Sequence, residues 1–143
     1  MNYLADVNIW LALAVIGHSH HAEAKAWFEE PEPKEVSFCR VTQQGFLRLL
    51  TNSRAMGVNV LTAARAWQLY DELRTDSRVR YATEPFGLEN SWRSATKHFG
   101  TEPNFWTDAY LWAFAETGGH TLATFDAALA KRHGAAVRLL RTK

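Results

Sequence analysis

Short apolar segments alternating with longer amphipathic ones, a length suited to one domain, and the lack of any repeat or Gly/Ser linker predict a single α/β domain over residues 1–143. The expected form is a three-layer sandwich whose mainly parallel central sheet is flanked by helices. A hydrophobic fraction of 47% with 13% aromatic residues is enough to build a core without disulfide or structural metal, which excludes a disordered or low-complexity chain. The single cysteine, Cys39, cannot close an intrachain bridge and suits a reducing setting.

In chain order, Tyr3–Ala5 is a short apolar strand running into Asp6. Ile9, Leu13 and Ile16 then recur at helical spacing until Gly17 ends the pattern. His21–Glu29 is a second helix, Val36–Phe38 a second strand and Thr42–Thr51 a third helix, with Phe46, Leu47 and Leu50 on one face. Thr62–Arg74 and Leu88–Phe99 are further helices, with Val79–Tyr81 a strand between them. Phe105–Thr117 is helical, Thr121–Ala123 extended, Ala127–Arg132 helical and Val137–Leu140 a last strand. The loops are Glu30–Lys34 and Thr83–Gly87.

The eight-residue apolar run Ile9–Ile16 has acidic and polar residues before it and no basic flank, which fits neither a signal peptide nor a membrane span. Charge is near balance, 16 basic against 15 acidic residues, but unevenly spread. Residues 1–39 carry six acidic and two basic side chains, whereas Lys131, Arg132, Arg138, Arg141 and Lys143 make the C-terminal end basic with no acid among them. Such an end meets phosphates or an acidic partner, or is simply solvated.

In parallel α/β sheets, sites form where strand ends lead into helices, and Asp6 and Asp126 stand at such junctions. Each alone reads as a helix N-cap. Asp108 differs, because its helical neighbours Leu111, Trp112 and Ala115 form an apolar face that turns the carboxylate inward. An ionised acid there requires a cation or several donors. Gln43 shares the face of Phe46, Leu47 and Leu50, so it points inward while Gln44 points outward. By itself it is an ordinary satisfied core amide. Three carboxylates from distant segments plus this amide suit one hard divalent cation, and metal-assisted phosphodiester hydrolysis follows as the chemistry.

Four segments carry a family resemblance: Leu4-Ala5-Asp6-Val7-Asn8-Ile9-Trp10, Arg40 to Thr51 (with Thr42-Gln43-Gln44-Gly45-Phe46-Leu47-Arg48), Asn104 to Leu111, and Thr124-Phe125-Asp126. In this order they resemble a PIN-domain ribonuclease toxin of the VapC type, over nearly the whole chain. The resemblance implies a PIN fold and a cytoplasmic, Mg²⁺- or Mn²⁺-dependent endoribonuclease, held inactive by a cognate antitoxin protein and usually homodimeric. It further implies metal binding by Asp6, Asp108 and Asp126, with Asn8 and Thr124 as supporting polar residues. Many members have a glutamate where this chain has Gln43, within a Thr-Gln-x-Gly-Phe-Leu-Arg pattern. A neutral amide is a weaker ligand and no general base, but it orients a metal-bound water. The alternative is a catalytically weak PIN-like module that binds RNA or protein; a structure-specific DNA nuclease would use the same acids but lacks any duplex-binding motif here.

Arg40 and Arg48 flank Gln43 and would meet substrate phosphates, or would be plain surface charges. His18, His20 and His21 invite a zinc reading that their spacing does not favour. Cys39, taken as lying within an apolar strand, reads as inert packing. Of the six tryptophans, Trp10, Trp106 and Trp112 are assigned to core packing rather than base stacking. Trp67 and Tyr70, beside Leu69 and Leu73, exceed what one helix face buries and mark a surface for antitoxin or dimer contact.

Overall fold

Side chains alternate across β1 (Asn2–Ala5), so that Tyr3 and Ala5 enter one apolar cluster and Leu4 the other. The same division holds at β4 (Thr121–Thr124), where Ala123 joins the first cluster and Leu122 the second. The sheet is therefore buried on both faces, as a parallel sheet must be. The computed structural model describes residues 1–98 and 100–141. Phe99 and the basic Lys143 lie outside the described residues, but the helix expected to run from Leu88 to Phe99 already stops at Ala95.

The sheet has five parallel strands in the order β3-β2-β1-β4-β5, with β2 at Glu35–Phe38, β3 at Val79–Tyr81 and β5 at Val137–Leu139. Tyr3 is in register with Val36 on one side and Thr121 on the other. On the first face lie α1 (Val7–Ala14), α2 (His21–Phe28), α3 (Arg40–Leu50) and α5 (Ala63–Arg74), reached after a four-residue α4 (Ser53–Met56). Trp10 and Phe38, both with no exposed surface, stack there at 3.7 Å between ring centroids. On the second face lie α6 (Leu88–Ala95), α7 (Phe105–Gly118) and α8 (Ala127–His133), which bury Leu88, Leu111, Phe114 and Leu129. These are the three layers expected.

Two glycines shape the scaffold. Gly119, at φ 74°, turns the chain from α7 into β4 in the left-handed region that a side chain resists. Gly45 on α3 lies so close to Val7 that an added Cβ would stand 2.7 Å from its Cγ2. Bare backbone here lays α3 against the start of α1.

Several boundaries differ from those expected. The first helix stops at Ala14, and Ile16, which continued the periodicity, is 82% exposed. Val15 caps the helix in an extended conformation, with its N–H on the Leu11 carbonyl. The third helix begins at Arg40, not Thr42, because the Thr42 hydroxyl bonds back to the Cys39 N–H as a capping box. Cys39 is thus the α3 cap and not a strand residue; it is buried and burial raises its thiol pKa, so it stays inert packing. α4 carries no buried residue and therefore no periodicity to read. The fifth strand ends at Leu139, leaving Leu140 outside it.

Candidate active site

The chain adds β2 and β3 outward on one side of β1 and then β4 and β5 on the other, so the strand order reverses between β1 and β4. A crevice opens at the carboxyl ends of strands flanking such a switch. Asp6 follows β1 and Asp126 follows β4, which brings residues 120 positions apart to one rim. The ends of β1 and β4 are joined there by the Asp6 N–H donating to the Ala123 carbonyl at 2.9 Å.

Both acids do cap their helices. Asp6 Oδ1 accepts from the Val7 N–H at 2.8 Å, and Asp126 Oδ1 accepts from Ala128 and Leu129 at 2.9 and 3.1 Å. Capping uses only one oxygen of each. The other Asp6 oxygen receives the Thr124 hydroxyl at 2.8 Å, and that hydroxyl in turn accepts from the Asp126 N–H at 3.0 Å. Thr124, wholly buried at the end of β4, therefore ties the two acids together. Asp126 Oδ2 has no hydrogen-bond partner among the described residues.

Asp108 projects from the first turn of α7 and is only 7% exposed, the inward placement its helical neighbours predict. Its Oδ2 accepts from the Arg132 guanidinium of α8 at 2.8 Å. Burial, reinforced by the negative charges of Asp6 and Asp126, nonetheless raises its pKa to about 6 against the pull of Arg132. Burial and, more weakly, Asp126 also push the Asp6 carboxyl upward, opposed by its bonds from Thr124 and Val7. Asp108 thus senses both other acids, and Asp6 senses Asp126.

Gln43 is buried on α3 and Gln44 exposed, as expected. Gln43 Oε1 accepts from Arg40, whose guanidinium also lies 4.9 Å over the Tyr81 ring. The Gln43 side chain therefore meets Arg40, not a carboxylate. Asn8 is exposed and faces a hollow with His18, Met56 and Asn59, and Arg48 is exposed on α3; neither is hydrogen-bonded to the acids among the described residues. The histidines are separately engaged: His18 Nδ1 accepts from the His20 N–H, His20 stacks on Phe125, and His21 bonds the Ala12 carbonyl.

Three residues differ from the sequence expectation. Arg132 belongs to the basic C-terminal end, yet it lies three residues after the buried Leu129 and reaches in to pair with Asp108. Trp106, assigned to the core, is 61% exposed. Trp67 is half exposed as expected, whereas its neighbour Tyr70 is buried against Phe38.

Among the described residues no three His, Cys, Asp or Glu side chains form a group closed around an ion. Mg²⁺ does not require one, since it keeps several waters and binds through one or two carboxylates. Carboxylate oxygens are the hard donors such a cation takes, and the unpartnered Asp126 Oδ2 is one of them.

Comparison with known proteins shows the family and the fold. The PIN domain family profile matches residues 3–136. Ribonuclease VapC41 of Mycobacterium tuberculosis is 45% identical over 142 residues, covering 96% of this chain and 97% of that protein. Ribonuclease VapC38 of the same organism is 33% identical over 132 residues, covering 87% and 84%. Among solved structures, Mycobacterium tuberculosis VapC20, described as a Sarcin-Ricin loop cleaving toxin, superposes with a TM-score of 0.67 at 21% identity, covering 97% of this chain and 99% of that one. VapBC2 from Rickettsia felis, bound to a promoter DNA fragment, gives 0.65 at 11% identity, covering 99% and 100%, a likeness of fold alone. No helix among the described residues is long and apolar enough to cross a membrane.

Proposed function

The chain belongs to the PIN-domain family as a VapC-type ribonuclease, and from that premise we propose that Asp6, Asp108 and Asp126 bind Mg²⁺ or Mn²⁺ and direct RNA phosphodiester hydrolysis at the β1/β4 crevice. The supporting observation is the Thr124 hydroxyl, which donates to Asp6 Oδ2 and accepts from the Asp126 N–H at the ends of β1 and β4, with the buried Asp108 of α7 raised in pKa in part by the charges of both acids. When bound, the divalent ion supplies Lewis-acid charge on the phosphate and acidifies a water. The protein's own residues position the donors. Thr124 fixes the angle of Asp6 and Asp126, so both present oxygens to the same rim. Arg132 offsets part of the charge on Asp108. Arg40 holds the Gln43 amide by its carbonyl oxygen, which leaves the NH₂ to donate to a water or a phosphate oxygen at the site. Asn8 and Arg48 are assigned to the substrate path, where their exposure gives them access to the RNA.

The partner reading is an antitoxin protein that silences a homodimeric toxin in the cytoplasm. It is supported by structural neighbours that are toxin–antitoxin complexes, among them one from Klebsiella pneumoniae at a TM-score of 0.63.

The test is cleavage of single-stranded RNA by the purified chain in Mg²⁺, with and without EDTA. Chelation should abolish cleavage and re-added Mg²⁺ restore it; cleavage that persists unchanged in EDTA would overturn the metal assignment.

A further inference from the structure

A 61% exposed tryptophan on an otherwise packed helix requires an explanation, because indole is among the largest apolar surfaces a chain can leave in water. Trp106 is in the first turn of α7, two residues before Asp108. It lies perpendicular to Trp92 (6.1 Å, 85°) and Phe105 (5.4 Å, 81°) with no ring stacked parallel on it, and 61% of its surface stays exposed. It borders a hollow of about 490 Å³ that Arg40, Glu84, Trp92, Thr107 and Tyr110 complete. The walls are held in place by the structure itself. The Trp92 indole N–H donates to the Trp106 carbonyl at 3.1 Å, Tyr110 stands edge-on to Trp92 at 5.4 Å, and its hydroxyl donates to Glu84 Oε2 at 2.9 Å.

Two residues of the hollow are directly linked to residues of the proposed active site. Thr107 precedes Asp108 in sequence, and Arg40 is the residue bonded to Gln43. Resting on the reading that the chain hydrolyses RNA, we propose that this hollow is a subsite for one unpaired nucleobase of the substrate, stacked on Trp106 beside the scissile phosphate. Flat aromatic walls match a base and not a phosphate, and the Glu84 carboxylate in the wall repels a phosphate while it accepts hydrogen bonds from the amino or imino edge of a base. The Arg40 guanidinium adds a donor at the mouth of the hollow. Stacking of this kind recognises single strands, because a base held in a duplex cannot turn its face to the indole.

Equilibrium binding of a short fluorescent single-stranded RNA in EDTA isolates the subsite from hydrolysis. Trp106→Ala should weaken binding by about tenfold, the usual loss for one stacked base, and Trp106→Phe should retain most of it. Binding to the same sequence as a duplex should be unchanged by either. The Trp106 side chain is largely exposed and the Trp92 bond goes to main chain, so both variants should keep the wild-type melting temperature. An RNA with a single abasic position should lose the same factor at one site only, and should lose nothing more in combination with Trp106→Ala. If Trp106→Ala binds single-stranded RNA as tightly as wild type, the subsite is refuted. If instead RNA binding is unchanged while sedimentation shows an altered oligomer, the surface is a protein interface and the proposal is equally refuted. Trp106-dependent binding by a wild-type protein that fails to cleave in Mg²⁺ would sustain the subsite and overturn the catalytic reading.

Discussion

Asp108→Asn should make the metal-free protein more stable while abolishing RNA cleavage. The acid is raised from its ordinary 3.8 to about 6, first by burial and then by the charges of Asp6 and Asp126, with Arg132 pulling the other way. Its side chain is only 10% exposed, so solvent screens little of this. For an acid whose folded pKa lies above the unfolded one, the native state keeps a proton the unfolded chain has released. Stability therefore falls as pH rises from about 4 to about 6 and stays at its lower level above that. A gap of about two units at 1.36 kcal/mol each puts the cost of the ionised form near 3 kcal/mol at pH 8. Asparagine resembles the protonated acid, and the attraction of Arg132 is already contained in the shift, so most of that cost should return as stability.

Urea or thermal unfolding in EDTA measures it. At pH 8 the variant should gain about 2–3 kcal/mol, on the order of 6–10 °C for a domain of this size. At pH 4.5, where wild-type Asp108 is itself protonated when folded, the gain should shrink to about 1 kcal/mol. Added Mn²⁺ should stabilise wild type and not the variant. A variant less stable than wild type at pH 8, or a gain that does not shrink in acid, refutes the account of Asp108 as a strained member of a charge cluster.

Arg132→Gln removes the cation paired with Asp108 and should lower metal-free stability by about 1 kcal/mol at pH 8 while tightening Mn²⁺ binding measured by calorimetry; weaker Mn²⁺ binding would show that Arg132 positions Asp108 instead of competing for it. Gln43→Ala should reduce turnover with RNA binding nearly unchanged, and Gln43→Glu should keep its stability through Arg40 and shift half-maximal activity to lower Mg²⁺. A Glu variant destabilised in saturating Mg²⁺, with no gain in metal affinity, contradicts the role given to Gln43. Gly45→Ala forces a Cβ to 2.7 Å from Val7 and should cost about 1–3 kcal/mol in urea unfolding, partly recovered by Val7→Ala; an unchanged midpoint would disprove the close approach of α3 to α1.

The layers were legible because side chains on each element report their neighbours. Leu4 differs from Tyr3 and Ala5 in the cluster it joins, and Phe46, Leu47 and Leu50 mark a buried stripe. Periodicity misled where an apolar residue continued a pattern after the backbone had left it, as at Ile16. It was silent at α4, which buries nothing. At Trp106 it failed for a different reason. α7 is apolar on most of its circumference, so position on the helix does not say which residues find a neighbour, and Trp106 stays 61% exposed.

For the site, helix capping and the proposed metal binding do not exclude one another. A carboxylate has two oxygens, and capping engages one: Oδ1 of Asp6 and Oδ1 of Asp126 bind helix amides, while Oδ2 of Asp6 accepts from Thr124 and Oδ2 of Asp126 is unpartnered among the described residues. The cap gives each ligand its orientation, since an acid held by first-turn amides has little freedom left to lose on binding a cation. What local pattern cannot supply is strand order. Nothing around Ala5 or Ala123 says that β1 and β4 are neighbours, yet that pairing alone brings Asp6 to Asp126. The Thr124 hydroxyl, bonded to both acids, records the pairing in the site itself, so Thr124→Val should loosen the relation of Asp6 to Asp126 and weaken Mn²⁺ binding even where the fold is kept.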